Sequence, residues 1–461
     1  MAKNLTIVGA GWAGLACAVA AVQAGWQVDL FEAAHVAGGR ARSLTHTFAD
    51  IPLDNGQHVL LGAYEETLRL MRLVGVSPEA TLLRLPLDLR YADAQGMHLP
   101  KLPAPLNVLV GVLMARGWRM QDKRKLLQAC WAWQRAHFTC APAWSVLELC
   151  EAAQLTARVI QDVMEPLCLS ALNTPLASAS ASVFLRVLQD ALLAGAGSSD
   201  LLIPKVDLGA LFPQSCLRWL RAQGVQVHLG TRFTQENMSR WHDASYAARL
   251  WRSDDRLQNA GSVHHATSEL QNNPSVLVLA CPAWEAARLT QEIAPEWSSQ
   301  TGALTHTSIA TVYLQCHDPA FRGLERPMVA LRSGKLGPAQ FVFDRGMLCQ
   351  QNGLMAAVVS AAQGDRAQLA QAVQQQVVQQ LGLSQVEIVQ TVVEKRATFA
   401  CTPEVPIDVG QIDAPTHATH SRPDFRIADN LYACGDYVRG PYPATLEGAV
   451  RSGLQVIRHL A

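Results

Sequence analysis

The 461-residue sequence predicts an α/β fold: one parallel-sheet domain assembled from separated stretches, with a discontinuous α+β domain inserted between them. Three observations predict it. A glycine-rich turn joins a short apolar strand to an Ala-rich helix at the start of the chain. Near the end, "NLYACGDY" reads as a buried strand closing on a Gly-Asp pair, followed by a helix rich in small residues. Midway, "SVLVLACP" (275–282) is a continuous apolar strand of the kind a parallel sheet buries. The length allows two hydrophobic cores.

The first element runs through residues 5–33, "LTIVGAGWAGLACAVAAVQAGWQVDLFEA". Leu5–Val8 reads as a strand, Ala13–Ala24 as a helix and "WQVDLF" as a returning strand closed by Glu32. Gly9, Gly11 and Gly14 give G-x-G-x-x-G between strand and helix. Gly9 permits a tight turn, Gly11 leaves room for a pyrophosphate at the positive helix end, and Gly14 allows close packing. Glu32 can accept hydrogen bonds from an adenosine ribose. The dinucleotide at this point is NAD or FAD.

The second element is "EAAHVAGGRARSL", with Gly38, Gly39, Arg40 and Arg42 a few residues after the acid. It resembles the GGR signature of the flavin-dependent amine oxidase and carotenoid desaturase superfamily, which implies FAD and a Rossmann-like FAD-binding domain of the GR2 type. In that superfamily a Gly-Asp pair places its carboxylate near the ribityl chain or the adjoining phosphate, and Gly435-Asp436 matches that position. "YPATLEGAVRSG" then starts a helix near Pro443–Ala444, its N–H groups around Thr445 and Leu446 facing the flavin. Gly448, Ala449, Ser452 and Gly453 leave one helix flank thin for close backbone approach.

Between the ends, Leu211, Leu217 and Leu220 fit one helical face and "VQVHL" alternates as a strand, with backbone near Val227–Phe233 implied to meet adenine. The polar stretch 235–273 reads as a hairpin or surface loop. The resemblance thus implies an FAD-binding domain over 1–62, 205–283 and 425–461, and a substrate domain over 63–204 and 284–424. In the latter, "QLAQAVQQQVVQQLGL" is amphipathic, with Val373, Val377, Val378 and Leu381 on one side and its glutamines on a solvated face.

"LDNGQHVLL", with Asp54, Asn55, Gly56, Gln57 and His58, occupies the place where relatives run past the isoalloxazine ring. Taken with the GGR loop and "PYPATLEGAVRSG", the chain resembles the hydroxysqualene dehydroxylase family over nearly its whole length. The resemblance implies FAD contacts from Gly9, Gly11, Trp12, Ala13, Gly14, Glu32 and Ala33, and from Gly38, Gly39, Arg40, Ala41 and Arg42. Further contacts fall to Gly56, Gln57, His58, Val227, Gly435, Asp436, Thr445, Leu446, Glu447 and Ala449. It also implies reductive loss of an allylic hydroxyl from a C30 isoprenoid, which needs a proton donor near the flavin. His58 and Asp54 are the first candidates, with Tyr442 behind them; His58 reads equally as an ordinary hydrogen-bonded histidine.

Composition favours a large apolar interior, an apolar ligand or both: 49% of residues are hydrophobic and 16% charged. Lys plus Arg and Asp plus Glu stand at 38 each, which gives no global attraction to nucleic acid. The eleven cysteines carry no metal-binding spacing and read as reduced thiols. The N-terminus carries no export signal, so a cytoplasmic location is expected. A long apolar substrate starts in lipid, and residues 102–127, with Trp118 and the basic cluster Arg116, Arg119, Lys123, Arg124 and Lys125, suit a peripheral membrane contact; a core helix and a solvated turn fit the same residues. No second nucleotide motif reveals the electron donor to the flavin. A carotenoid-type desaturase, an amine oxidase and a non-catalytic prenyl-protein escort remain as rivals.

Overall fold

The computed structural model describes residues 3–48, 51–193, 195–243, 276–334, 337–403 and 422–461. The chain opens with β1 (Lys3–Val8), α1 (Trp12–Gln23) and β2 (Trp26–Glu32). A mainly helical excursion follows, with α2 (Glu65–Leu73), α3 (Leu106–Met114), α4 (Met120–Arg135) and α5 (Ala181–Leu193). The chain returns through α6 (Pro213–Ala222), β3 (Gln226–Leu229) and β4 (Val276–Leu279). Next come β5 (His306–Cys316), β6 (Met328–Ala330), β7 (Phe341–Asp344) and β8 (Leu354–Ser360), then α7 (Arg366–Leu381) and β9 (Val386–Phe399). The strands β10 (Arg426–Ala428) and β11 (Leu431–Ala433) and the helix α8 (Leu446–Leu460) close it.

Six strands drawn from both ends and the middle of the chain form one sheet, in the order β3-β2-β1-β4-β11-β10. All neighbours run parallel except the edge strand β10. Val276–Leu279 is buried along its whole length between two parallel neighbours, the environment its unbroken apolar run calls for. Against one face lie α1 and α8. Small residues let these two helices touch: a Cβ on Gly453 would stand 2.3 Å from the Ala13 carbonyl oxygen.

The second sheet, ordered β6-β7-β8-β5-β9, is antiparallel throughout. Alternation along β5 divides its two faces. Ala310, Val312 and Leu314 pack toward α7, whereas Thr311 and Tyr313 reach the 54–57 segment.

Several expectations are corrected. The last helix begins two residues later than the Pro443–Ala444 start, because Thr445 is the N-cap and its hydroxyl accepts from Gly448 N–H at 3.1 Å. Residues 235–243 are helical rather than hairpin, and the rest of that stretch to 273 lies outside the described residues. Gln376 of α7 is buried, not solvated; it holds Ala339 N–H at 2.8 Å and donates to the Ala339 carbonyl at 2.8 Å. Trp118 is also buried, its indole N–H donating to Asp162 at 2.8 Å, while Trp131 takes the exposed position.

Gly453→Val should force α1 and α8 apart and lower stability by about 2–4 kcal/mol in urea unfolding. Gly302→Ala, whose new Cβ would meet only Ala287 Cβ at 3.6 Å, should change it by less than about 0.5 kcal/mol.

Candidate functional site

The carboxyl ends of β1, β4 and β11 share one edge of the parallel sheet, where open α/β sheets leave a crevice. The first glycine turn lies there. Glu32 fixes it: one carboxylate oxygen accepts from Ala10 N–H at 2.7 Å and the other from Ala34 N–H at 2.8 Å. Each oxygen keeps acceptor capacity for a further donor. Ala33 beside it is exposed. The second glycine loop docks on the first through Gly38 N–H, which donates to the Ala10 carbonyl at 2.8 Å.

The glycines differ in what requires them. A Cβ on Gly14 would lie 1.9 Å from the Gly9 carbonyl oxygen, so packing alone demands glycine there. A Cβ on Gly11 would meet nothing closer than Gly39 Cα at 3.8 Å. Packing leaves Gly11 unexplained, and the open space beside it adjoins the N-terminus of α1, whose first turn carries no acid. That is the cradle an anionic pyrophosphate fits.

Side chains then tie the two glycine loops to the chain's end. Arg40 donates to Asp436 at 2.6 Å and to the Ala397 carbonyl at 2.6 Å, and Asp436 is buried. Trp12 packs on Phe212 and donates from its indole to the Ala41 carbonyl at 3.1 Å. Arg42 closes the loop on the Gly39 carbonyl. From α8, Ser452 Oγ accepts from Gly435 N–H at 2.8 Å and so fixes the Gly-Asp turn.

The catalytic candidates fare differently. Asp54 is buried and engaged on every side: Leu208 N–H at 2.9 Å, Ser43 hydroxyl at 3.2 Å and Arg345 at 3.4 Å. Burial raises its pKa against these partners. It reads as a junction residue, not a free acid. Tyr442 lies between Arg186 and Arg451, and its pKa is raised by burial and by nearby Asp190, to which it is hydrogen-bonded. Its hydroxyl is already committed. Glu447 is fully buried and accepts from Glu66 N–H at 3.1 Å, Thr67 N–H at 2.9 Å and Arg451 at 2.6 Å. Its carboxylate caps α2, so no side-chain contact with a cofactor is available from it.

His58 is part-buried, and burial lowers its pKa, with the Arg40 charge adding to the effect. Its Nδ1 pairs with the Gly56 carbonyl at 3.0 Å; a carbonyl only accepts, so Nδ1 carries the proton and Nε2 a lone pair. A neutral ring in this tautomer has no proton to give from Nε2. Gln57 is held nearby, its N–H donating to Thr311 Oγ1 at 3.4 Å. Leu446 and Ala449 stand part-buried in the first turn of α8, and Val227 pairs with Leu30 at the far side of the sheet.

The sequence reading missed Tyr437. Its ring lies against Gly435, where a Cβ would be 2.7 Å from Tyr437 Cε1, and its hydroxyl is buried with no hydrogen-bond partner among the described residues. A buried, unpaired hydroxyl beside the Gly-Asp turn is a second feature that a polar cofactor would satisfy. Position directly after Asp436 was the only signal. The donors, the open space at Gly11 and this hydroxyl together fit a flavin dinucleotide.

Comparison with known proteins agrees. Residues 12–460 match the family described as flavin containing amine oxidoreductase, and the chain belongs to that family, with FAD as its cofactor. It is 25% identical over 454 residues to the hydroxysqualene dehydroxylase of Zymomonas mobilis, across 97% of this chain and 96% of that one. With the hydroxysqualene dehydroxylase of Rhodopseudomonas palustris it shares 26% identity over 473 residues, covering 98% and 97%. The crystal structure of an oxidoreductase from Methanosarcina mazei superimposes with a TM-score of 0.62 at 15% identity, covering 99% of this chain and 100% of that one.

Gly11→Ala should fold as the parent does, within about 0.5 kcal/mol, yet retain at least tenfold less FAD. Gly14→Ala should lose about 2–4 kcal/mol of stability as well. Flavin absorbance of purified protein and melting of the stripped protein would separate the two effects.

Proposed function

We propose that this chain, an FAD enzyme of the flavin containing amine oxidoreductase family, reductively removes the hydroxyl of hydroxysqualene to give squalene. The observation that carries this reading is the likeness, over 97% of the chain, to a relative named hydroxysqualene dehydroxylase. In the reaction a C–O bond breaks, a C–H bond forms, and two electrons and two protons convert the alcohol to hydrocarbon and water. Bound FAD in its reduced form supplies the hydride.

The chain's own groups have three tasks. The Gly9–Gly14 turn and the Gly38–Arg42 loop would hold the pyrophosphate, Glu32 the ribose, and Gly435–Asp436 the ribityl end. Buried apolar side chains around the carboxyl edge of the sheet, Leu279, Tyr437 and Val438 among them, exclude water that would recapture an allylic cation. The third task is proton supply to the departing hydroxyl. Asp54 and Tyr442 are committed elsewhere, and His58 is held neutral. We therefore assign His58 a relay role: Nε2 takes up a proton from bulk solvent and, as the imidazolium, passes it to the departing hydroxyl, which leaves as water.

Anaerobic incubation of the reduced protein with hydroxysqualene should yield squalene by mass spectrometry; conversion of phytoene by the oxidised protein instead would favour the desaturase reading. His58→Ala should keep FAD and slow flavin reoxidation by substrate at least tenfold. Transfer through Nε2 requires the imidazolium, and with the pKa lowered its share falls about tenfold per pH unit above pH ~6.5, so the parent's rate should fall by about that factor per unit from about pH 7 to 8.5. A rate flat across that window would remove His58 from the proton path.

A further inference from the structure

We propose that α3, α4 and the turn between them form a docking face for an anionic lipid bilayer, through which apolar substrate enters. Its substrate half rests on the function proposed above; its lipid half does not.

The stripe Leu106, Leu109 and Leu113 recurs every three to four residues along one flank of α3, the spacing of a single helical face. The opposite flank faces inward, where Gly111 lies so close that a Cβ would stand 2.7 Å from Leu99 Cδ2. A helix at a protein surface ordinarily carries polar residues on the outer flank; this one is apolar on both. Leu106 is 53% exposed and Leu113 48%, and next to them Met114, Met120 and Trp131 are 61%, 73% and 60% exposed. Among the described residues this is the main concentration of large exposed apolar side chains.

Charge selects the partner. Residues 101–136 contain seven Lys or Arg and a single acid, Asp122. Asp122 is buried, bonded to Arg119 N–H at 2.7 Å and to the Thr156 hydroxyl at 2.7 Å, so it offers no counter-charge outward. Arg116, Arg119 and Arg124 are exposed around the turn. A second copy of this face would set seven cations against seven, which an isologous contact does not favour. Anionic headgroups complement both the cations and, beneath them, the apolar stripe.

An apolar cavity of about 210 Å³ lies between α3 and α4. Exposed Leu106, Leu109 and Trp131 line it together with buried Met97, Val112 and Met164. The same side chains therefore bound the outer face and the inner space. A chain leaving the acyl phase between them would exchange one apolar environment for another.

Flotation of the holoenzyme with vesicles tests this. Vesicles containing about 30% phosphatidylglycerol should carry the protein, and pure phosphatidylcholine should carry several-fold less. Leu113→Glu with Met114→Glu should reduce partition at least tenfold while flavin absorbance is kept, and Arg116→Glu with Arg124→Glu should remove the preference for anionic vesicles. The Leu113→Glu/Met114→Glu protein, whose changes lie outside the cavity lining, should turn over detergent-dispersed hydroxysqualene like the parent but vesicle-borne hydroxysqualene at least tenfold more slowly. Absence of flotation on both vesicles, unchanged partition of the variants, or a dimer that these substitutions dissolve without any vesicle binding would overturn the proposal. Failure of the parent to convert detergent-dispersed hydroxysqualene would instead sink the functional reading and leave the flotation result standing.

Discussion

The contact on which the remainder depends is the closure of the two chain ends over one edge of a parallel sheet. No single stretch could build it. β1 and β11 are separated by β4, so the ends meet through what lies above and beside the strands. The helices α1 and α8 touch where Gly453 faces the Ala13 carbonyl, and Arg40 reaches across to Asp436. The Arg40 side chain is 37% exposed and Asp436 only 8%, so the pair sits at a boundary where one charge is taken out of water. Such a pair adds little net stability, but an Asp436 left alone there would be costly. Its effect is to fix the register of the second glycine loop against the terminal Gly-Asp turn.

A second constraint joins the two sheets. Asp54 leaves the cofactor half of the chain and enters a polar knot with Tyr313 of β5 and with Arg345, which directly follows β7; the Tyr313 hydroxyl donates to the Asp54 carbonyl at 3.0 Å. Arg345 and Asp54 are both almost wholly buried. Removing one partner of a buried pair leaves an uncompensated charge at about 3–5 kcal/mol, so this knot tolerates little relative movement. Thr311, two residues before Tyr313, meets Gln57, and the 54–58 segment is thereby held from both sides. The position of His58 follows from that segment, which makes its orientation a property of the contact with the second sheet.

What could be read in the sequence divides along the same line. The strands and the glycine turn were legible because their signals are local: alternation, an unbroken apolar run and the spacing of Gly9, Gly11 and Gly14. The side-chain roles that failed are long-range. Glu447 caps α2 from 380 residues away, and Arg345 reaches Asp54 across 291, distances at which no pattern in one sequence links the partners. Gln376 failed for a related reason: an amphipathic helix shows which residues are polar, not which of them find a buried backbone to bond. Trp118, read as part of an outward patch, is buried on Asp162; α3 before it is apolar on both flanks, which leaves the inward direction undetermined from sequence.

That ambiguity itself carries information. A helix that packs inward needs only one apolar flank, and the second is a standing cost in water unless another phase covers it. In this chain the surplus flank does not face the sheet that holds the cofactor site, and it is bordered by cations whose only local acid points inward. The hydrophobic residues that raise the composition to 49% are thus not all accounted for by the interior. A site that excludes water around a reacting carbon, and a substrate insoluble in water, both require that water be bypassed on the way in; an apolar face outside is the counterpart of a dry site within.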